Sequence, residues 1–352
     1  MNAYETAKKL AIFDTPLYFV GGAVRNRLLN LPVKDYDLAG AVPSEKFLGS
    51  LGKIAKKASR KLFTCVVELD GFKFEYTPFR IDSYKGGTHK PEKVTFTLDL
   101  EKDALRRDFT CNAVYMEVMT GKIVDPLGGI KDIENKVLRA CDIPDKVLGE
   151  DGLRLMRLVR FSSELGFSIE NKTLESAKKN AALIKDIAPE RIREELDKIL
   201  LADTAYGIKN AHSRGLELLA DTGVMAYILP EIYEGKGVEQ RKDFHKYDVL
   251  GHTIKTVEFA PPEVRLAALF HDAAKPYCMK KQGNMHGHDR AGSFMARDIL
   301  TRLRYPKEVI QNVSALVELH MYDLKNQAKD ITLRRFIQTY YPHIPDLLKL
   351  KQ

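Results

Sequence analysis

Leu17-Tyr18-Phe19-Val20-Gly21-Gly22-Ala23-Val24-Arg25-Asn26-Arg27-Leu28-Leu29, followed shortly by Asp35-Tyr36-Asp37, decides how the first third of the chain is read. An aromatic and aliphatic run is broken by two glycines, after which apolar residues return at helical spacing: strand, turn, helix. Glycines in such a turn let backbone N–H groups approach a phosphate, and the helix N-terminus adds a favourable dipole. Asp35 and Asp37, at i and i+2 on a strand, share one face while Tyr36 points the other way. Two such carboxylates repel unless a cation lies between them, and hard divalent cations such as Mg²⁺ prefer oxygen ligands. Lys73-Phe74-Glu75-Tyr76-Thr77 reads as another strand and offers Glu75 as a third carboxylate. A D-x-D alone is more often a solvated surface pair; the upstream glycine turn and the second-strand carboxylate shift the balance toward a site.

Working outward, Thr64–Leu69 and Ala113–Val118 also read as strands, whereas from Asp151 onward helical spacing dominates. Glu234-Gly235-Lys236-Gly237-Val238-Glu239-Gln240-Arg241-Lys242 reads as a linker. The expected architecture is α+β and multidomain: an α/β head with a mixed sheet over 1–140, a helical neck and body over 141–235, and a helical domain over 243–352. The 352 residues, 44% hydrophobic and 30% charged, supply ample core, with no apolar run approaching the roughly 20 residues of a membrane helix. The N-terminus lacks a secretory pattern, so a cytoplasmic location is expected. Cys65, Cys111, Cys141 and Cys278 form no C-x-x-C pair, which argues against a zinc ribbon and a disulfide framework. A net charge of +8 favours polyanionic partners.

The ordered set Gly21-Gly22-Ala23-Val24-Arg25, Asp35-Tyr36-Asp37, Arg106-Arg107-Asp108-Phe109-Thr110-Cys111-Asn112-Ala113, Asp125-Pro126-Leu127-Gly128-Gly129 and Glu150-Asp151-Gly152-Leu153-Arg154 resembles the bacterial class II tRNA nucleotidyltransferase and poly(A) polymerase family. The match spans roughly residues 15–200. It implies a polymerase β-like nucleotidyltransferase head and template-independent addition of C, C and A to the tRNA 3′ end from CTP and ATP. It also implies that Asp35 and Asp37 bind catalytic Mg²⁺, that Gly22 and Arg25 contact the nucleotide, that Arg107 binds the triphosphate, and that Asp108 and Asn112 lie at the ribose.

Glu150–Phe161 reads as one helix on which Asp151, Arg154 and Arg157 form a slanting polar stripe. Cytosine and adenine both present an amino donor beside a ring-nitrogen acceptor. An ionised Asp supplies only acceptors and an Arg only donors, so Asp151 with Arg154 matches both bases and mismatches U and G. The resemblance assigns Asp151, Arg154, Arg157 and Arg160 to base and nucleotide contact, although Arg160 lies on the far side of the helix from Asp151. The polar stretch Arg80–Pro91 reads as a mobile loop, which in this family accompanies the switch to adding A.

Six of the nine histidines, His245, His252, His271, His286, His288 and His320, fall within 76 residues of the last domain. His271-Asp272, with His252 upstream and His288 and His320 downstream, resembles the HD phosphohydrolase superfamily and implies a second divalent-metal site. That superfamily usually adds an Asp on a later helix. Asp323 is the available substitute, and the family often continues further, so the resemblance implies a chain truncated at its C-terminus. Competing readings are a poly(A) polymerase or A-adding enzyme on the same fold, and a metal-dependent phosphohydrolase with an RNA-binding head.

Overall fold

The computed structural model describes residues 2–51, 57–61, 64–84, 91–240, 246–323 and 327–351. They form two compact units: 1–154 with 165–183, and 155–164 with 184–352. The helix Leu153–Leu165 supplies residues to both.

The first unit is built on strands β1 (Leu17–Val20), β2 (Tyr36–Gly40), β3 (Lys57–Lys61), β4 (Thr64–Leu69) and β5 (Phe72–Pro78), a separate hairpin of β6 (Arg80–Ser83) and β7 (Lys93–Phe96), and β8 (Tyr115–Glu117) with β9 (Ile123–Val124). The main sheet runs β3-β4-β5-β2-β1-β8-β9. Its pairs are antiparallel except β2 with β5, so the sheet is mixed, as expected. The parallel register sets Tyr36 beside Phe74 and Asp37 beside Glu75. Tyr36 packs its ring against Tyr4, Phe19, Phe72 and Phe74. One face of β2 is thereby committed to an aromatic core, which leaves Asp37 to the other face. Val20, Ala39, Phe79, Ala104, Ala113, Tyr115 and Cys141 form a buried cluster, to which β2 contributes Ala39 from the same face as Asp37.

Two local readings change. Arg80–Ser83 is a strand of the β6–β7 hairpin and not loop; residues 85–90 of that stretch lie outside the described residues. The helix expected over Glu150–Phe161 is interrupted: one helix ends at Glu150, Asp151 is extended at φ −142°, and the next begins at Leu153. Asp151 Oδ1 accepts the Leu153 N–H at 2.9 Å, a capping role that favours an Asp just outside a helix. The even slanting stripe therefore holds only from Arg154 onward.

The second unit contains, among the described residues, helices and no named strand. Pro189–Leu200 starts with Pro at its first position, where a missing N–H costs nothing. Val249–Phe259, Arg265–Phe270, His288–Arg302 and Lys307–Leu319 carry the histidines. The linker stretch is described only to Gln240, and His245 lies outside the described residues. No helix among the described residues is long and apolar enough to cross a membrane. All four cysteines are free and buried, and burial pushes the Cys111 thiol up to about 12.

Candidate active site

In the first unit, Asp37 and Glu75 line a cavity of about 200 Å³ together with Thr77, Arg80, Arg106 and Arg107. Gly21 adopts φ 70°, and a Cβ there would meet Asp37 Oδ2 at 3.1 Å, so glycine serves both the turn and the carboxylate's space. Glu75 pairs with Lys73 at 3.0 Å and remains partly exposed. Asp35 lies just before β2 and is exposed. Among the described residues, Asp35, Asp37 and Glu75 do not draw three ligand atoms within 4.8 Å of one another. Asp37 and Glu75 nonetheless suit a hard cation, being oxygen donors side by side on adjacent strands.

The arginines are held by a network to which no role was assigned from sequence. Asp103, fully buried, accepts from Arg106 Nε at 2.8 Å, Arg107 Nη2 at 2.9 Å and the Tyr115 hydroxyl at 2.7 Å. Burial alone would raise its carboxyl, but Arg107, Arg106 and Tyr115 outweigh that and hold it at about 2. Arg107 Nε donates to the Tyr115 hydroxyl at 3.0 Å. Asp82 on β6 pairs with Arg80 at 2.9 Å and Arg106 at 3.4 Å. Three guanidiniums are thus fixed along one cavity wall, a geometry matched to phosphate oxygens.

Arg25, on the helix Gly22–Leu28, donates to Asn112 Oδ1 at 2.6 Å, and Asn112 Nδ2 donates to Asp108 Oδ1 at 3.1 Å. These three predicted residues therefore meet in one buried chain. Asp125 of the Asp125–Gly129 motif caps the next helix through the N–H groups of Gly129 and Ile130 at 2.7 and 2.9 Å, which gives that motif a structural role. Arg154, buried, donates to the carbonyls of Val147 at 2.8 Å and Arg106 at 2.7 Å, with its guanidinium 5.6 Å from the Tyr84 ring centroid.

In the second unit, Arg157 lies 5.1 Å from the Phe161 ring centroid. Arg160 is buried in a double ion pair, Nε with Glu195 at 2.6 Å and Nη1 with Glu164 at 3.0 Å. That arrangement commits Nε and Nη1 to the protein itself.

The same unit gathers His252, His271, His288 and His320 around Asp272. Nε2 of His252 and His271 lie 3.3 and 3.1 Å from Asp272 Oδ2, and Nε2 of His288 and His320 lie 3.2 and 3.9 Å from Oδ1. His271, His288 and His320 each place Nδ1 within 2.8 Å of a backbone carbonyl, of Ala268, Met285 and Val317. A carbonyl only accepts, so Nδ1 donates to it and Nε2 turns inward, the orientation that metal-ligating histidines show. Burial, with His271 nearby, lowers His320 to about 4. Burial would raise Asp272, but His271, His288 and Lys275 hold it well below the usual carboxylate range. Nε2 of His288 and of His320 are buried with no hydrogen-bond partner, so the donor set fits a metal ion. Asp323 instead caps the N–H groups of Gln327 and Ala328 at 2.7 and 3.0 Å, and it joins none of the clustered ligand groups found among the described residues.

Residues 17–139 match the poly A polymerase head domain, 166–235 the probable RNA- and SrmB-binding site of polymerase A, and 235–344 the HD domain. The A-adding tRNA nucleotidyltransferase of Deinococcus radiodurans is 32% identical over 354 residues, covering 94% of this chain and 74% of that protein. The chain belongs to the tRNA nucleotidyltransferase family. Another member, the CCA-adding enzyme of Geobacillus stearothermophilus, is 40% identical over 211 residues, 60% of this chain. The chain spans about half the length of the curated CCA-adding relatives it matches, 50% for that one. The Bacillus stearothermophilus CCA-adding enzyme solved with CTP aligns over 99% of this chain and 76% of that one, with a TM-score of 0.70 and 28% identity. The family architecture of polymerase head with mixed sheet, helical body and HD domain is the one observed.

Proposed function

We propose that the chain is a CCA-adding tRNA nucleotidyltransferase that extends tRNA 3′ ends with C, C and A from CTP and ATP, without a nucleic-acid template. The observation that carries this reading is the cavity in which Asp37 and Glu75 face the same space as Arg80, Arg106 and Arg107. Oxygen donors for a cation and guanidiniums for a triphosphate are what nucleotidyl transfer requires. Asp35 and Asp37, with Glu75 adjacent, would hold Mg²⁺, which when bound neutralises phosphate charge and eases ionisation of the attacking hydroxyl. Arg107, steadied by Asp103 and Tyr115, orients the triphosphate, and the chain formed by Arg25, Asn112 and Asp108 lies at the sugar with Gly22 beside it. The tRNA 3′-hydroxyl then attacks the α-phosphate, and pyrophosphate leaves.

Asp151 and Arg154 supply the acceptor and donors that select C and A. For this, Arg154 Nη2 exchanges the Arg106 carbonyl for the base. Leaving those buried groups unpaired against U or G is the source of rejection. Arg157 borders the nucleotide, while Arg160 braces the neck through Glu195 and Glu164.

A second reading, addition of A alone, is favoured by the extent of the match to the Deinococcus relative. A poly(A) polymerase on the same fold would extend without stopping. The histidine cluster supports a further role as a metal-dependent phosphohydrolase, because a cavity of about 530 Å³ lined by Lys275, His288 and three methionines opens beside it. The test supplies tRNAs ending before CCA, after C and after CC, with Mg²⁺ and CTP, ATP or both, at one-nucleotide resolution. Three additions that then stop support CCA synthesis. Extension only of the CC-ended tRNA supports A addition, and an unlimited A ladder supports polymerisation.

A further inference from the structure

Arg154 is held both in the plane of its guanidinium and on the face of that plane. In the plane, Nη1 donates to the Val147 carbonyl at 2.8 Å and to Glu150 Oε2 at 3.5 Å, and Nη2 donates to the Arg106 carbonyl at 2.7 Å. On the face, the guanidinium carbon lies 5.6 Å from the centroid of the half-buried Tyr84 ring. Tyr84 directly follows β6, and the hairpin fixes its place: Ser83 is paired with Lys93, and the Ser83 carbonyl accepts the Glu92 N–H at 2.8 Å. Asp82 on the same strand pairs with the Arg106 guanidinium at 3.4 Å. The contacts close a ring. Asp82 holds the side chain of Arg106, the backbone of Arg106 holds Arg154, and Arg154 returns to the strand through Tyr84. Burial raises the Tyr84 hydroxyl above its ordinary value, Arg154 opposes the rise, and Asp82 and Asp151 add to it, so the ring stands among the groups assigned to base recognition.

The two kinds of contact restrain different motions. When Nη2 leaves the Arg106 carbonyl to meet a base, the remaining hydrogen bonds both fall on Nη1 and leave the plane free to tilt. A ring against the face resists that tilt yet lets the plane slide, because the cation–π attraction depends on approach to the ring and not on which N–H is engaged elsewhere. Edge-to-edge reading of a base requires that its partner stay in the plane of the base. We infer that Tyr84 is a positioning residue for base selection, its ring keeping the Arg154 guanidinium flat as Nη2 passes from the Arg106 carbonyl to the base of CTP or ATP.

This inference rests on the reading of Arg154 as the donor that selects C and A, and the full chain tests the two separately. The measured quantities are the ratios of kcat/KM for CTP over UTP on a tRNA lacking CCA and for ATP over GTP on a tRNA ending in CC. Tyr84→Leu lowers the ratio for each nucleotide pair that is added by about fivefold, the worth of a partly desolvated cation–π contact, chiefly by raising KM, with kcat within about twofold of the parent. Tyr84→Phe, which keeps the face and loses only the hydroxyl, stays within about twofold of the parent. Added to Arg154→Ala, Tyr84→Leu lowers the ratios no further, because nothing is left for the ring to hold. Ratios that fall with Arg154→Ala and not with Tyr84→Leu overturn the role of Tyr84 and leave Arg154 as the selector. A loss with Tyr84→Phe as large as with Tyr84→Leu, or a further loss in the double variant, also overturns it, by assigning the effect to the hydroxyl or to direct contact with the base. Ratios unchanged by Arg154→Ala overturn the reading of Arg154 itself.

Discussion

Asp37 stands partly exposed on a strand, beside Glu75 and in a cavity shared with three arginines, whereas Asp272 is buried among four imidazoles and a lysine. Both carboxylates offer oxygen donors, but the surroundings differ in kind. The head spreads oxygen donors and guanidiniums along an open wall, which suits a substrate that brings its own phosphates and a hard cation with it. The histidine cluster closes nitrogen donors around one carboxylate and anchors three of them through backbone carbonyls, which suits a resident softer ion. Preorganisation accordingly lies in different places: in the head it is the arginines that are pinned, and in the cluster it is the ligands.

Asp103→Asn bears most heavily on this contrast, because it leaves the half-buried Arg107 without its charged partner and Arg106 with Asp82 alone. A loss of about 3 kcal/mol in urea unfolding at pH 7 is expected. The pH dependence carries a sign of its own. The Asp103 carboxyl sits at about 2, below the ordinary 3.8, so its contribution is complete above the ordinary value and disappears as pH falls through the lower one. The variant therefore has a shallower acid limb between those two values. A variant as stable as its parent would show that the arginines are not held by this carboxylate.

Much of the head was legible in the residues. The strand runs at Leu17–Val20 and Thr64–Leu69 are where they were expected, and Tyr36 faces away from Asp37 as alternation demands. Asp103 precedes Arg106 and Arg107 at spacings that equally describe a solvated helix face, and the approach of Asp82 to Arg106 and of the Tyr115 hydroxyl to Asp103 leaves no periodic trace in a chain. Tyr115 lay inside an expected strand, and nothing there marked its hydroxyl as a partner of Arg107. The break at Asp151-Gly152 was missed because apolar spacing continues on both sides of it; an Asp followed by Gly before a helix was the available clue. The histidine cluster was visible as a local excess of one residue type, whereas nothing in the sequence sets Lys275, three positions after Asp272, apart from other lysines. Arg160 was assigned by resemblance to the nucleotide, and its burial between Glu164 and Glu195 is a tertiary fact that only the fold displays.

Smaller effects sharpen the comparison further. Arg107→Lys keeps a charge but loses the forked geometry, and kcat/KM for CTP and ATP should drop by about 100-fold, chiefly through the triphosphate. If inorganic pyrophosphate inhibits the variant as well as its parent, Arg107 does not hold the phosphates. Arg154→Ala should cut discrimination of CTP over UTP by about tenfold or more in single-turnover assays, a loss of pairing and not of chemistry. Unchanged discrimination would move base selection elsewhere. Arg160→Lys should cost about 1 kcal/mol of stability, with the KM for nucleotide within about twofold of the parent. A large KM change with intact stability would restore Arg160 to the nucleotide.

The separation of the two centres is tested most directly by one sample of Asp37→Asn, assayed both for nucleotide addition to a tRNA lacking CCA and for cobalt(II), which favours imidazole, bound in excess Mg²⁺. The account predicts that addition falls by about a thousandfold or more while cobalt binding is retained. Addition within about tenfold of the parent would contradict the assignment of the head cavity as the seat of transfer.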